Sequence, residues 1–192
     1  MNSRHSSKRP DWTTPPWLIE AARRVLETID LDPASSEKSN EVVMAKKFFD
    51  EKADGLQQPW RVSVRNPRPR SIWLNPPGGK MANGESRSKL FWQKLVFERQ
   101  VNPEFKDALF LAYSIEMAQI SQLNCERSLL SFPTCFLRRR VSYFDVHQRK
   151  LVDGMTHSSS VTYLPGRFDR TKRFIEVFSE FGDIVTRVEA TA

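Results

Sequence analysis

The chain has 192 residues, with 30 Lys and Arg against 23 Asp and Glu for a net charge of +7. That length holds one sizeable core and is short for two, 13 Phe and 5 Trp supply large core-filling side chains, and the positive balance favours a polyanionic partner such as nucleic acid. With only Cys125 and Cys135 and no long apolar run, the composition excludes a disulfide framework, a Cys-based zinc site and a membrane-spanning helix, and it points to a reducing, cytoplasmic setting.

Residues 1–10 have almost nothing to bury and read as a flexible basic arm, leaving 11–192 as one domain. Thr14 is placed to cap a helix opened by Pro15 and Pro16, with Trp17/Leu18, Ala21/Ala22 and Val25/Leu26 recurring on one face. Ile29 to Leu31 predicts a short strand ending at Asp32-Pro33, which puts Asp32 at a strand tip. Turn formers from Ser35 to Asn40 read as a loop before a helical stretch from Val42 to Phe49. Asp54-Gly55 is a turn, and the basic, proline-interrupted segment from Arg61 to Arg70 is a surface connection.

The apolar run Ile72-Trp73-Leu74 then predicts a buried strand halted at Asn75-Pro76-Pro77, because proline removes a ladder donor and fixes φ. Gly78, Gly79 and Gly84, mixed with Lys80 and Arg87, make the next loop a lid or a DNA-contacting segment. A helix from Leu90 to Gln100 and a strand from Ala108 to Tyr113 complete a βαβ unit. Farther on, Phe136, Arg138-Arg139-Arg140 and Val141 to Phe144 read as a strand flanked by charge, with Val161 to Leu164 as its partner. Phe174, Val177, Phe178 and Phe181 mark a helix that Gly182 ends, and Ile184 to Val188 is a final strand.

Strand tips in open α/β sheets face the ligand crevice, so Asn75 and Pro76 offer a side-chain acceptor and a carbonyl acceptor side by side. Such a pair can grip a planar amino group. No glycine-rich G-x-G-x-x-G turn accompanies it. From the local sequence Asp32 reads as a strand-tip carboxylate open to a ligand or, equally well, as a turn aspartate before proline, and for Asp54 the Asp-Gly turn is the commoner role. The Arg138–Arg140 run reads as a phosphate contact or a solvated face, and His157 as structural or a base-pocket contact.

Asp11-Trp12-Thr13-Thr14-Pro15, Leu31-Asp32-Pro33-Ala34, Asn40, Asp54-Gly55-Leu56 with Trp60, and Asn75-Pro76-Pro77 follow one another in the order and approximate spacing of the phage-type DNA N6-adenine methyltransferases. Pro133, Arg140-Val141, Thr156-His157-Ser158-Ser159 and the stretch from Phe178 to Gly182 also resemble that family, so the similarity spans nearly the whole chain after residue 10. The resemblance implies a Rossmann-like α/β methyltransferase fold, with a mostly parallel sheet and flanking helices, that uses S-adenosylmethionine, needs no metal, and acts on double-stranded DNA of a phage or prophage in a bacterial cytoplasm, as a monomer or a dimer. It assigns Asn75, Pro76 and Pro77 to catalysis and Thr13, Thr14, Pro15, Asp32, Pro33, Asn40 and Asp54 to the cofactor. Lys80, Arg87, Arg138, Arg139 and Arg140 are assigned to DNA binding by their own charge and the positive balance of the chain.

One position departs from the pattern. Gly78 stands where the family has an aromatic that stacks on the flipped base, so the stacking role passes to Trp73, Trp92 or Tyr113, with His157 beside them in the base pocket. Two other readings accompany the adenine methyltransferase: a catalytically impaired DNA-binding relative, and a methyltransferase for the glutamine amide of a protein.

Overall fold

The computed structural model describes residues 12–60, 71–145, 147–152 and 158–187; the expected basic arm, the Arg61–Arg70 connection and His157 lie outside the described residues. Ten strands and five helices are described: β1 (Trp12–Thr13), α1 (Pro16–Leu26), β2 (Leu31–Asp32), α2 (Glu37–Val43), β3 (Lys47–Phe48), β4 (Ser71–Leu74), α3 (Arg87–Val101), β5 (Asp107–Ala112), α4 (Glu116–Asn124), β6 (Thr134–Leu137), β7 (Tyr143–Asp145), β8 (Lys150–Val152), β9 (Ser160–Pro165), α5 (Thr171–Phe178) and β10 (Gly182–Val185).

Seven strands form the main sheet in the order β10-β6-β9-β5-β4-β2-β3. The pairings from β3 through β2 and β4 to β5 are parallel, whereas β9 is antiparallel to both β5 and β6, and β10 is antiparallel to β6. Five strands therefore run one way and only β9 and β10 run back. Every residue of β4 and β5 is buried, as expected where helices cover both faces. Their side chains alternate between two cores. Trp73, Leu109 and Leu111 join the α1 and α5 residues Leu18, Ala22, Phe174 and Phe178, while Ile72, Leu74, Ala108 and Phe110 join Phe91, Trp92 and Leu95 of α3.

The chain leaves β2 through α2 to β3 on one side and leaves β4 through α3 to β5 on the other, so β2 and β4 flank the point where the winding reverses. Open α/β sheets bind ligands in the crevice beyond the carboxyl ends of such a pair. Asp32 ends β2 and Asn75 follows β4 at that crevice. The amino ends of the strands are tied down by charge: the buried Asp107 carboxylate accepts Ser71 Oγ at 2.8 Å and the Arg170 guanidinium at 2.7 Å, and Arg170 also pairs with Glu27 at 2.8 Å. A second, antiparallel sheet, β1-β7-β8, brings residues 12–13 against the β7–β8 hairpin, with Thr13 opposite Phe144.

Several local expectations are corrected. The N-cap of α1 is Pro15, with no side-chain cap, so the Thr14 hydroxyl is released for another task. Helix α2 occupies residues 37–43 and not 42–49, because Ser36 accepts from Ser39 N as an N-cap and Met44 ends the helix in the left-handed region. The single strand expected around the arginine run is two, β6 before it and β7 after it, in different sheets. Helix α4 has no clear sequence signal: of its nine residues, only Met117 and Ser121 are buried.

Gly182 does not end α5, which stops at Phe178; it opens β10 at a close crossing of two backbones. A Cβ there would sit 2.1 Å from the Phe136 carbonyl oxygen and 2.8 Å from Cys135 Sγ. Gly182→Ala is therefore expected to lower stability by ~1–3 kcal/mol through overpacking, read as a lower urea midpoint; an unchanged midpoint would show that β10 can move aside freely.

Candidate functional site

Asn75 is half-buried at the end of β4, and its Nδ2 donates to Thr14 Oγ at 2.9 Å and to the Tyr113 hydroxyl at 2.9 Å. Both amide hydrogens are thus engaged by residues from two other segments, one following β1 and one following β5. The other end of the amide is different: Asn75 Oδ1 is buried and, among the described residues, has no hydrogen-bond partner. Buried acceptors are ordinarily satisfied, so an open one marks a place where a donor from elsewhere is missing. Pro76, buried, and Pro77, exposed, follow directly and stiffen the backbone beside that oxygen.

Asp32 lies across the switch point on β2. It is buried and its Oδ1 accepts from Ala34 N at 3.1 Å. Burial pushes its carboxyl up from 3.8 to about 7. A cationic donor arriving there would restore the charged form, so the residue suits an ammonium group. Pro33 continues the tip, and the Asp54-Gly55 turn packs against it, since a Cβ on Gly55 would lie 1.9 Å from the Pro33 carbonyl oxygen.

Other expected cofactor residues have duties of their own. Asp54 takes a left-handed φ of +51° and turns its carboxylate onto Leu56 N at 3.1 Å, the behaviour of a turn residue. Asn40 bonds the Ala45 N–H and carbonyl at 2.8 and 3.2 Å, closing the α2–β3 connection, and is not brought into the crevice. Thr13 is buried on β1 opposite Phe144. Pro15 accepts Leu18 N at 3.0 Å, and with prolines at 15 and 16 the first turn of α1 offers few free N–H groups for a carboxylate.

The aromatic assignments are partly overturned. Trp73 is 0% exposed in the core under α1. Trp92 is also 0% exposed, edge-on to Phe110 and Phe132, with Nε1 donating to the Arg127 carbonyl at 2.7 Å. Neither can stack on an incoming base. Tyr113 does reach the crevice, and Tyr143 of β7 lies beside it with ring centroids 5.2 Å apart. Tyr143 and the Thr14 hydroxyl carry no local signal in the sequence, because the cluster joins residues 14, 75, 113 and 143 across two sheets. Gly78 is exposed and has no positive φ, and a Cβ added to it would meet nothing within 4 Å, whereas the neighbouring Gly79 has φ +86°.

The basic residues share the carboxyl rim. Exposed Lys80 bridges to Ser86, and half-buried Arg87 opens α3 with its N–H on the Gly79 carbonyl at 3.1 Å. β6 runs in the direction of β4, so Arg138, Arg139 and Arg140 leave the sheet on the same edge as Asn75, three strand spacings or roughly 14 Å away. All three are exposed, and Arg138 reaches Asp183 at 3.4 Å. Among the described residues, no group of three or more His, Cys, Asp or Glu side chains is placed to hold a metal, and no helix is long and apolar enough to cross a membrane.

No sequence-family model and no curated protein matches the chain. Among solved structures, it is similar to the modification subunit assigned to a type I restriction enzyme of Vibrio vulnificus YJ016, with 14% identity and a TM-score of 0.49 over 83% of this chain. The aligned part is 45% of that chain, so the present chain spans less than half its length. A likeness at that level carries no weight in assigning chemistry.

Proposed function

We propose that the chain is an S-adenosylmethionine-dependent methyltransferase acting on an exocyclic amino group of DNA, the N6 amino group of adenine. The observation that carries this reading is the buried, unpartnered Asn75 Oδ1 beside Pro76 at the carboxyl end of β4. An amino group held by that oxygen and by the Pro76 carbonyl has both hydrogens fixed and its nitrogen lone pair directed outward. S-adenosylmethionine would supply an electrophilic sulfonium methyl, and Asp32, across the switch point, suits the ammonium end of such a molecule. Holding the nitrogen in line contributes through proximity and orientation, without a strong base in the site. The amino group is unreachable inside a duplex, so the base must be extruded into the crevice.

Incubation with S-adenosylmethionine and unmethylated genomic DNA, followed by nucleoside mass spectrometry, tests the reading. N6-methyladenine is the expected product. A second reading, a DNA-binding relative that has lost turnover, draws on Gly78, which brings no ring of its own and where an added Cβ would meet nothing within 4 Å. Cofactor and DNA binding without transfer to DNA would favour it, and label on protein instead of DNA would favour a glutamine methyltransferase.

The rim arginines provide a separate check. Each phosphate contact adds roughly 0.9 to the slope of log affinity against log salt. Arg138→Ala with Arg139→Ala should lower that slope by about 1 to 2. Arg139 should dominate, since Arg138 is shared with Asp183. An unchanged slope and affinity would make the run a solvated face.

A further inference from the structure

We infer that the Ser159 hydroxyl is a base-binding group of this crevice, placed to bond the ring edge of the extruded base whose amino group Asn75 holds. The inference rests on the methyltransferase reading above. Ser159 is 3% exposed, and its Oγ, like Asn75 Oδ1, is a buried oxygen with no hydrogen-bond partner among the described residues. A buried hydroxyl left unpaired costs the fold stability, so a hydroxyl kept that way points to a partner that arrives from outside.

The ladder between β5 and β9 places Ser159 on the face that Asn75 shares. Leu109 stands opposite Tyr163 and Leu111 opposite Val161, all four in the core under α1. The next positions on that face are Tyr113 and Ser159, and Tyr113 packs against the same core. Asn75 follows Trp73 on the corresponding face of β4 and reaches the Tyr113 hydroxyl at 2.9 Å. Asn75, Tyr113 and Ser159 thus form one row across β4, β5 and β9, with Ser159 two strand spacings, roughly 10 Å, from Asn75. Ser160, opposite Ala112, belongs to the other face. The row also runs away from Asp32, because β2 lies on one side of β4 while β5 and β9 lie on the other. A methyl donor held at Asp32 approaches the amino nitrogen from the β2 side. In-line transfer leaves the opposite side to the base, whose ring then extends past Tyr113 towards Ser159. Ring nitrogens of an extruded adenine are acceptors, and the serine hydroxyl supplies the donor they need.

The test uses the full chain with Ser159→Ala, Ser159→Cys and, from the other face, Ser160→Ala. Each is read by urea denaturation, by steady-state methylation of unmethylated genomic DNA and by calorimetry with S-adenosylmethionine. Ser159→Ala should raise the urea midpoint, because it removes a buried hydroxyl that nothing in the fold pairs. It should also raise KM for DNA about 3- to 10-fold, the worth of one neutral hydrogen bond. The rate at saturation and the cofactor affinity should stay near native, since this bond holds the base before and during transfer alike. Ser159→Cys keeps the shape with a weaker donor, so a raised KM there ties the effect to the bond and not to packing. Ser160→Ala should leave KM for DNA unchanged. A native KM for DNA, or a lowered midpoint, in Ser159→Ala would overturn the assignment and make Ser159 part of the scaffold. A native protein that transfers no methyl group to DNA would instead overturn the methyltransferase reading, and this assignment with it.

Discussion

Asn75→Ala is expected to reduce methyl transfer to DNA by ~10²-fold or more, the usual cost of deleting one preorganised polar group at a reacting centre. The loss should appear in kcat, with cofactor affinity and the denaturant midpoint close to native. Asn75 is only half-buried, and no apolar core residue depends on its amide. The stability cost is therefore limited to two hydrogen bonds from a partly solvated amide, each worth ~0.5–1.5 kcal/mol net at most. Retention of most of the native rate would sink the assigned mechanism, because the Pro76 carbonyl alone fixes only one of the two amino hydrogens. A large loss of stability would instead move Asn75 from the chemistry to the scaffold.

The residues that can be read from sequence are those whose role is local. Ile72-Trp73-Leu74 and Ala108 to Tyr113 mark β4 and β5 because strands buried on both faces need unbroken apolar runs, and the prolines after Asn75 mark where the first one stops. Asp32 and Asn75 are legible as strand tips for the same reason, although only the strand order shows that they flank one switch point. Residues with two possible partners are the ones that sequence misassigns. Thr14 has the sequence position of an N-cap, yet Pro15 already turns the chain and Thr14 bonds Asn75, 61 positions away. Asn40 matches a family motif but closes its own loop. Trp73 lies two residues before Asn75, and the period-2 alternation of β4 carries its ring into the core under α1. Gly182 has the look of a helix end because the sequence cannot show that β6 crosses within 2.1 Å of its missing Cβ.

Asp32→Asn should separate stability from cofactor binding by moving them in opposite directions. With its carboxyl raised from 3.8 to about 7, native Asp32 holds its proton over a pH range in which the unfolded chain has already lost it. Where the folded state binds more protons, stability falls as pH rises. The native protein should therefore lose stability from about pH 4 to about pH 7 and level off above that. At ~1.4 kcal/mol per pH unit the burden on the fold at pH 8 is on the order of 4 kcal/mol. Asparagine keeps the shape and an acceptor for Ala34 N, carries no charge, and should relieve much of that burden, raising the urea midpoint at pH 8 and flattening this part of the pH dependence.

The same substitution should weaken S-adenosylmethionine binding, since a charge-assisted bond to the ammonium group is exchanged for a neutral one. In the native protein, binding calorimetry should show affinity rising from pH 6 to pH 8 as the carboxylate forms, and falling again only through groups on the ligand; in Asp32→Asn the rise should vanish. A variant that is more stable at pH 8 and binds the cofactor less tightly would establish Asp32 as a binding residue held at a cost to the fold. Equal affinity in the two proteins would return it to the standing of a turn aspartate before proline, and the ammonium group would then have to be sought elsewhere along the β2–β4 crevice.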